Sequence, residues 1–261
     1  MEVGRTVDIF RFMAGLSYTI GGQVAPHDLP NNMLYTKREP LGVVALITPW
    51  NFPIALPAWK LAPALVSGNT VILKPASLAP AMTMEIAKAF DEAGLPKGVL
   101  NVVVGSGKEV GDELATTAAV QALSFTGSHS VGSSIYQQLA PRMARAQMEM
   151  GGKNPTIVLA DADLDYAAKL VAMAGYMMTG QVCTATSRAI VEESVADEFT
   201  EKLIAEAKSR KVGNGLAEGV NMGPAVSAAE LEGNFEYLQI AKDEGAEVLW
   251  GGDRLTEGDL E

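Results

Sequence analysis

The chain has 261 residues, 48% of them hydrophobic and 20% charged, which is enough for one large core or two ordinary ones. Its formal net charge of −11 disfavours nucleic acid and anionic membranes as partners, because both bind basic surfaces. The single cysteine cannot form a disulfide within the chain, so we expect a reducing, cytoplasmic environment. The sequence contains neither an apolar run long enough to span a membrane nor a recognisable signal peptide.

The first 148 residues are predicted to form a doubly wound α/β domain with a parallel sheet. It begins with an amphipathic helix over residues 2–16, followed by a hairpin or extended arm over residues 18–38. Apolar runs then alternate with helical segments, which is typical of parallel strands buried between layers of helices. Strands are predicted at residues 42–48, 69–75, 98–105 and 120–127, and helices at 57–68, 81–94, 107–117 and about 130–140.

The remaining residues, 149–261, are predicted to form a second α/β domain. Helices are expected at residues 165–180, 195–210 and 231–245, and strands at 188–194 and 246–252. The chain starts inside a predicted helix and stops in GGDRLTEGDLE, which contains no closing secondary structure. We therefore expect that the chain is an internal piece of a longer protein and that its second domain is truncated.

Four loops at the carboxyl ends of the predicted strands are candidates for ligand binding, since parallel α/β sheets bind ligands there. They are TPWNFP (48–53), KPAS (74–77), GSG (105–107) and FTGSHSVG (125–132). Gly127 and Gly132 open a helix, which suits close approach by a pyrophosphate, although the spacing is also that of a plain strand-to-helix turn. Lys74 ends a buried strand, where it is either a ligand contact or a solvated loop lysine.

Three side chains could carry chemistry, and each also has a structural interpretation. Asn51, held between aromatic residues and prolines, is either a turn residue or a preorganised donor to an oxyanion. Glu149 is either a surface carboxylate at a helix end or a general base. Cys183, in GQVCTATSR, is either a small buried filler or a thiolate nucleophile. A cysteine–histidine protease pair is disfavoured, because both histidines lie in other motifs.

Taken together, five motifs resemble those of the aldehyde dehydrogenase superfamily. They are TPWNFP, LKPAS, SFTGSHSVG, EMGGKNP and GQVCTATSR, in that order. The resemblance covers essentially the whole chain, whereas members of the superfamily are usually about twice as long. Within it, the last three motifs look most like those of bacterial α-ketoglutaric semialdehyde (2,5-dioxopentanoate) dehydrogenases.

The resemblance implies NAD(P)-dependent oxidation of an aldehyde to a carboxylic acid, with a semialdehyde as substrate and no metal. Cys183 would attack the aldehyde and form a thiohemiacetal, then a thioacyl-enzyme. The Asn51 amide and the Cys183 backbone N–H would hold the oxyanion, and Glu149 would activate the hydrolytic water. The implied substrate-tunnel residues are Phe52, Leu56 and Trp59, for which ordinary helix packing is the alternative.

The resemblance also implies a cofactor site in the first domain. Thr48, Pro49 and Trp50 would lie along the dinucleotide, with Lys74 at the adenosine ribose and Ser77 beside it. Gly107 would lie at the adenine end. Ser128 would contact the pyrophosphate, with Gly127 and Val131 in the same turn. Many NAD-preferring members have a glutamate at the Ser77 position, where its charge repels a 2′-phosphate. Serine does not, and Lys74 is close enough to pair with one, so we expect NADP or use of both cofactors.

Oligomerisation and activity are further expectations from the resemblance. The segment 18–38 matches the oligomerisation hairpin of the superfamily, which implies a homodimer or homotetramer of the full-length protein. A later motif that holds the nicotinamide ribose is missing, so the 261-residue chain alone should be poorly active. Two alternatives remain: a CoA-acylating relative, which the presence of Glu149 disfavours, and a non-catalytic member with a structural role.

Overall fold

A computed structural model describes residues 2–256 of the chain. The chain divides into two compact units, Met1–Gly151 and Gly152–Glu261. The boundary follows Gly151, whereas the sequence predicts it after residue 148, so Glu149 belongs to the first unit. Within residues 2–256, no helix is both long enough and apolar enough to cross a membrane.

The first unit opens with a helix and a hairpin, as the sequence predicts. Helix α1 spans Glu2–Leu16. The hairpin pairs two short antiparallel strands, β1 (Val24–Ala25) and β2 (Leu34–Tyr35), whose residues are all exposed.

A five-stranded parallel sheet forms the centre of the first unit. Its strands are β3 (Val43–Ile47), β4 (Thr70–Lys74), β5 (Leu100–Val102), β6 (Ala122–Gly127) and β7 (Arg145–Met150), in the order β5-β4-β3-β6-β7. The central strand β3 is almost entirely buried, because helices cover both of its faces. The parallel sheet and the hairpin confirm the α/β architecture predicted for the first unit.

Four helices cover the two faces of this sheet. They are α2 (Ala55–Val66), α3 (Pro80–Glu92), α4 (Asp112–Thr116, after a π-helical turn at Gly107–Gly111) and α5 (His129–Leu139). Alternate residues of β3 point to opposite faces. Val44 and Leu46 pack with Leu61 of α2, whereas Ala45 and Ile47 pack with side chains of α4 and α5. The sheet is therefore doubly wound.

Strand β7 was not anticipated. Its residues alternate between exposed and half-buried positions, so that Arg145, Gln147 and Glu149 share one face of the sheet edge. The interpretation of Glu149 as a helix-end carboxylate is therefore wrong. A strand with every second residue polar lacks the continuous apolar run by which the other parallel strands were found.

The second unit contains a two-stranded parallel sheet and three helices. Strands β8 (Asn154–Val158) and β9 (Thr186–Val191) pair with each other. Helices α6 (Leu164–Tyr176) and α7 (Ala196–Lys208) supply Ala168, Val171 and Phe199 to a core that includes Val158 of β8, and α8 (Ala228–Asp243) follows.

Two predictions for the second unit are wrong. The helix expected to end at Gly180 ends at Tyr176, because Met178 and Thr179 have left-handed φ angles of 51° and 62°, which an α-helix cannot accommodate. Residues 246–252 form no strand in the described structure. A strand requires a hydrogen-bonded neighbour, and this segment pairs with none within residues 152–256.

Candidate active site

The loops that follow β3 and β4 start side by side at the carboxyl edge of the sheet. The backbone N–H of Thr48 donates to the carbonyl of Lys74 at 3.1 Å. Thr48 is 3% exposed, and its hydroxyl oxygen is buried without a hydrogen-bond partner among the described residues. An unpaired buried hydroxyl costs about 1–3 kcal/mol, so it is a candidate contact for a bound ligand.

A cavity of about 370 Å³ lies at the same edge of the sheet. It brings together three of the predicted cofactor residues, Lys74, Gly107 and Val131. Lys74 is 5% exposed, and burial lowers the pKa of its ammonium group. Its ammonium group donates a long hydrogen bond of 3.4 Å to the carbonyl of Pro75. The sequence does not indicate four further polar residues of the cavity wall, because the helical segments that carry them meet only in the fold. They are Lys108 in the π-helical turn, Asp112 in α4, and Ser130 and Ser134 in α5.

Ser77 and Ser128 each have a local structural partner. The Ser77 hydroxyl donates to the carbonyl of Gly105 at 3.0 Å, which ties the loop after β4 to the loop after β5. Ser128 caps α5, with its side chain accepting from the N–H of Val131 at 3.4 Å. Capping satisfies one of the unpaired N–H groups at a helix start and leaves the others for a ligand.

Gly127 at the end of β6 and Gly132 in α5 both lie in close contact with neighbouring side chains. A Cβ on Gly132 would lie 2.7 Å from the sulfur of Met150, and one on Gly127 would lie 2.4 Å from the ring of Phe125. Neither glycine has a left-handed backbone. Gly132 is therefore required for close packing of α5 on β7, and Gly127 leaves room for the ring of Phe125 in its own strand.

The loop TPWNFP is fixed at its C-terminal end by side chains from other elements. The carboxylate of Glu2 accepts hydrogen bonds from the N–H groups of Ile54 and Ala55, at 2.9 and 2.8 Å, and so caps α2 from outside. The fully buried Thr83 donates its hydroxyl to the carbonyl of Pro53 at 3.1 Å. Asn51, which is half-buried, therefore lies in a loop with little freedom.

A groove of about 950 Å³ within the first unit brings Glu149 together with two predicted tunnel residues, Leu56 and Trp59. Phe52, the third, does not line it. Trp59 is 46% exposed, with the guanidinium of Arg5 5.1 Å from its ring centre. The interpretation of Trp59 as a helix-core residue is therefore wrong.

Glu149 lies at the end of a chain of hydrogen bonds that sequence reasoning missed. Lys60 of α2 is 7% exposed and donates to the Ser124 hydroxyl at 2.6 Å and to Gln147 Oε1 at 3.2 Å. Gln147 in turn donates from Nε2 to Glu149 Oε1 at 3.0 Å. Burial lowers the pKa of Lys60 to about 8, while the negative charge of Glu149 opposes the shift. The one sign of this network in the sequence is a lysine inside the otherwise apolar helix PAWKLAPALV.

Cys183 lies in the second unit, where its loop is held by a neighbouring amide. The side chain of Asn154 donates to the carbonyls of Cys183, at 2.8 Å, and Ala185, at 3.1 Å. A turn is closed by the N–H of Ala185, which donates to the carbonyl of Val182 at 3.0 Å. Cys183 is exposed, so the interpretation of this residue as a buried filler is wrong.

The backbone immediately before this loop is strained. Met178 and Thr179 are left-handed, and a β-branched residue such as Thr179 rarely adopts this conformation, at a cost on the order of 1–3 kcal/mol. The Thr179 hydroxyl donates to the carbonyl of Gly223 at 2.6 Å, which helps to hold the conformation. Gly180 is left-handed as well, with a φ of 71°.

The sequence profile of the aldehyde dehydrogenase family matches residues 1–261. The chain belongs to the aldehyde dehydrogenase family. It is 52% identical to an α-ketoglutarate semialdehyde dehydrogenase of Haloferax volcanii, over 99% of this chain and 53% of that protein. It is 45% identical to a 2,5-dioxopentanoate dehydrogenase of Saccharolobus solfataricus, over 97% of this chain and 53% of that protein.

The fold matches solved structures of the family. A betaine aldehyde dehydrogenase from Staphylococcus aureus, solved in complex with NAD+, superimposes with a TM-score of 0.97 at 37% identity. The match covers 99% of this chain and 51% of that one. This member of the aldehyde dehydrogenase family thus spans about half the length of the relatives it matches.

Proposed function

We infer that the full-length protein oxidises an aldehyde to a carboxylic acid, with Cys183 as the nucleophile. The observation that carries the proposal is an exposed cysteine on a loop held by Asn154, in a chain of this family. A thiolate at an exposed position can reach a substrate, whereas a buried thiol cannot.

The first step that we assign is attack by the Cys183 thiolate on the aldehyde carbon. A carbon–sulfur bond forms, and the carbonyl electron pair moves onto oxygen to give a thiohemiacetal anion. The Asn51 amide and the Cys183 backbone N–H donate to this oxygen. Removing one such donor typically lowers the rate by about 10²–10³.

A nicotinamide ring, when bound, supplies the acceptor for the hydride that the thiohemiacetal carbon loses. The residues that would hold the dinucleotide are Thr48, Pro49, Trp50, Lys74, Ser77, Gly107, Gly127, Ser128 and Val131. The unpaired buried hydroxyl of Thr48 and the 370 Å³ cavity lined by Lys74, Gly107 and Val131 fit such a ligand.

Glu149 acts in the last step, hydrolysis of the thioacyl-enzyme. Its carboxylate takes a proton from water while the water oxygen bonds to the acyl carbon. The carbon–sulfur bond then breaks, the Cys183 thiolate leaves, and the carboxylic acid is released. A carboxylate positioned as a general base contributes typically about 10²–10⁴ to such a rate.

For the cofactor, we propose NADP or the use of both dinucleotides. Ser77 carries no charge and directs its hydroxyl to the carbonyl of Gly105, so it does not repel a 2′-phosphate. Two lysines, Lys74 and Lys108, line the cavity together with one carboxylate, that of Asp112, and could pair with that phosphate.

For the substrate, we propose a semialdehyde such as α-ketoglutaric semialdehyde, which is the substrate named for the relatives at 52% and 46% identity. For the assembly, we propose a homodimer or homotetramer formed through the hairpin. Six large apolar side chains of the segment 18–38 are at least 49% exposed, namely Tyr18, Val24, Leu29, Met33, Leu34 and Tyr35.

A panel of aldehydes tests the substrate and the cofactor together. The full-length protein is mixed with each aldehyde and with NAD or NADP, and the reduced nicotinamide is followed by its absorbance. We expect the highest kcat/KM with a semialdehyde of a dicarboxylic acid, which has an aldehyde at one end and a carboxylate at the other. A preference for simple aliphatic aldehydes would contradict the substrate proposal and leave the reaction class intact.

A further inference from the structure

Gln147 links a buried lysine to the carboxylate of Glu149. Strands β6 and β7 are in a register that pairs Ser124 with Gln147. Their side chains therefore lie next to each other on one face of the sheet. Glu149 follows two residues later on β7 and so faces the same side.

Two donors fix the orientation of the Gln147 amide. Lys60 donates to its Oε1 at 3.2 Å, and the Ser124 hydroxyl donates to the same atom. An ammonium group has donors only, so it must face the amide oxygen. The amide nitrogen is thereby turned to Glu149 Oε1, at 3.0 Å. The network uses one oxygen of the carboxylate, and its other oxygen can accept a proton from water.

We propose that Gln147 is a positioning residue for Glu149, with Lys60 and Ser124 holding the amide in place. The inference rests on the proposed function, because it assigns a role to the base of the deacylation step. Glu149 is exposed on a strand at the sheet edge, where its side chain would otherwise sample several rotamers. An N–H donor on one carboxylate oxygen restricts those rotamers and stabilises the ionised form, which is the form that acts as a base.

Other charged groups also face this groove. They are Lys60 on α2, Arg145 on β7, and Arg38 and Glu39 in the segment before β3. Replacing Gln147 by leucine removes the N–H donor and leaves these four charges in place. The pH at which deacylation is half-maximal should therefore rise when only Gln147 is changed.

The experiment uses p-nitrophenyl acetate, an activated ester that acylates a thiolate without any dinucleotide. With the full-length protein, a burst of p-nitrophenolate reports acylation of Cys183, and the slow phase reports deacylation. For Gln147→Leu we expect an unchanged burst, a slow phase whose rate is about 10-fold lower at pH 7, and a half-maximal pH that is raised. Gln137→Leu, on the exposed side of α5, is the control and should match the unsubstituted protein.

Gln147→Glu provides a second variant of nearly the same shape. The new carboxylate cannot donate to Glu149 and repels it. The rate of the slow phase should therefore fall, and the pH at which this rate is half-maximal should rise, as in Gln147→Leu. If Gln147→Leu unfolds, as seen in its thermal melting curve, Gln147→Glu decides the outcome.

The possible outcomes separate the two proposals. A normal burst with an unchanged slow phase and pH midpoint in both variants would overturn the role of Gln147 and leave the proposed function standing. A burst that persists in Cys183→Ala would instead overturn the proposed function. If the rate of the slow phase falls by the same factor at every pH, and the pH of half-maximal rate does not shift, Gln147 has a merely structural role. This result would also overturn the inference.

Discussion

Asn154 donates a hydrogen bond of 2.8 Å from its side-chain amide to the backbone carbonyl of Cys183. A second hydrogen bond from the same amide, of 3.1 Å, reaches Ala185 two residues later. Asn154 lies at the start of β8, so the loop that carries the proposed nucleophile is fixed to the sheet of its own unit. Reactive side chains require such support, because small displacements from the attack geometry slow catalysis.

Replacing Asn154 by alanine should lower aldehyde turnover by about 10- to 100-fold, since the loop is released and Cys183 loses its defined position. Steady-state kinetics of the full-length protein measure this effect. Asn101→Ala is a matched control, because Asn101 also donates to two carbonyls, of Gly98 at 2.8 Å and Val71 at 3.4 Å. Equal losses of turnover in the two variants would show that Asn154 has no specific role.

Changing Ser77 to glutamate should shift the cofactor preference from NADP towards NAD. A carboxylate at this position would repel the 2′-phosphate of NADP. If this repulsion costs about 1.4 kcal/mol, the preference for NADP over NAD falls tenfold. The ratio of kcat/KM for the two cofactors measures the shift. Ser77→Ala, which removes the hydroxyl without adding charge, should leave the ratio nearly unchanged. The assignment of Ser77 would be wrong if the glutamate variant kept the original preference.

Gly132→Ala should destabilise the first unit by about 1–3 kcal/mol, because the added Cβ would meet the sulfur of Met150 at 2.7 Å and the ring of Phe125 at 3.1 Å. Urea denaturation followed by tryptophan fluorescence provides the measurement. Gly4→Ala in α1 is the control: its added methyl group would have no atom within 4 Å, and alanine favours a helix by about 1 kcal/mol. Gly132→Ala with undiminished stability would contradict the packing role.

The buried Lys60 should make stability depend on pH. Burial lowers its pKa from 10.5 to about 8, so between these values the unfolded chain binds more protons than the folded one. Stability conferred at this site therefore rises with pH above 8, by about 1.4 kcal/mol per pH unit. Relative to Lys60→Met, the free energy of unfolding of the unsubstituted protein should increase between pH 8 and 9.

Urea denaturation at pH 7, 8 and 9 tests this dependence. Lys88→Met, at a lysine whose side chain is 65% exposed, should show no such trend. A constant difference between the unsubstituted protein and Lys60→Met at all three pH values would show that Lys60 titrates normally.

The parts of the fold that depend on local sequence were predictable. The run GVVALIT lies in the buried strand β3, because a strand covered on both faces must be apolar throughout. The ends of α2 and α3 were marked by Gly68 and Gly94, which adopt φ angles of 81° and 85° that other residues disfavour.

Features that depend on distant partners were not predictable from a single sequence. Strand β7 is held by its pairing with β6, and its alternating polar residues resemble a surface segment. The hydrogen bonds from Lys60 through Gln147 to Glu149 join residues of α2 and β7, and the register of β6 and β7 brings them together. The motifs indicated Asn51, Glu149 and Cys183, but not the side chains that support them.

The most direct test of the central claim compares the full-length protein with its Cys183→Ala variant, using a semialdehyde and either dinucleotide. If Cys183 is the nucleophile, the unsubstituted protein produces reduced nicotinamide and the variant produces it only at the background rate, while its thermal melting temperature stays the same. Aldehyde oxidation by Cys183→Ala at a rate near that of the unsubstituted protein would contradict the mechanism.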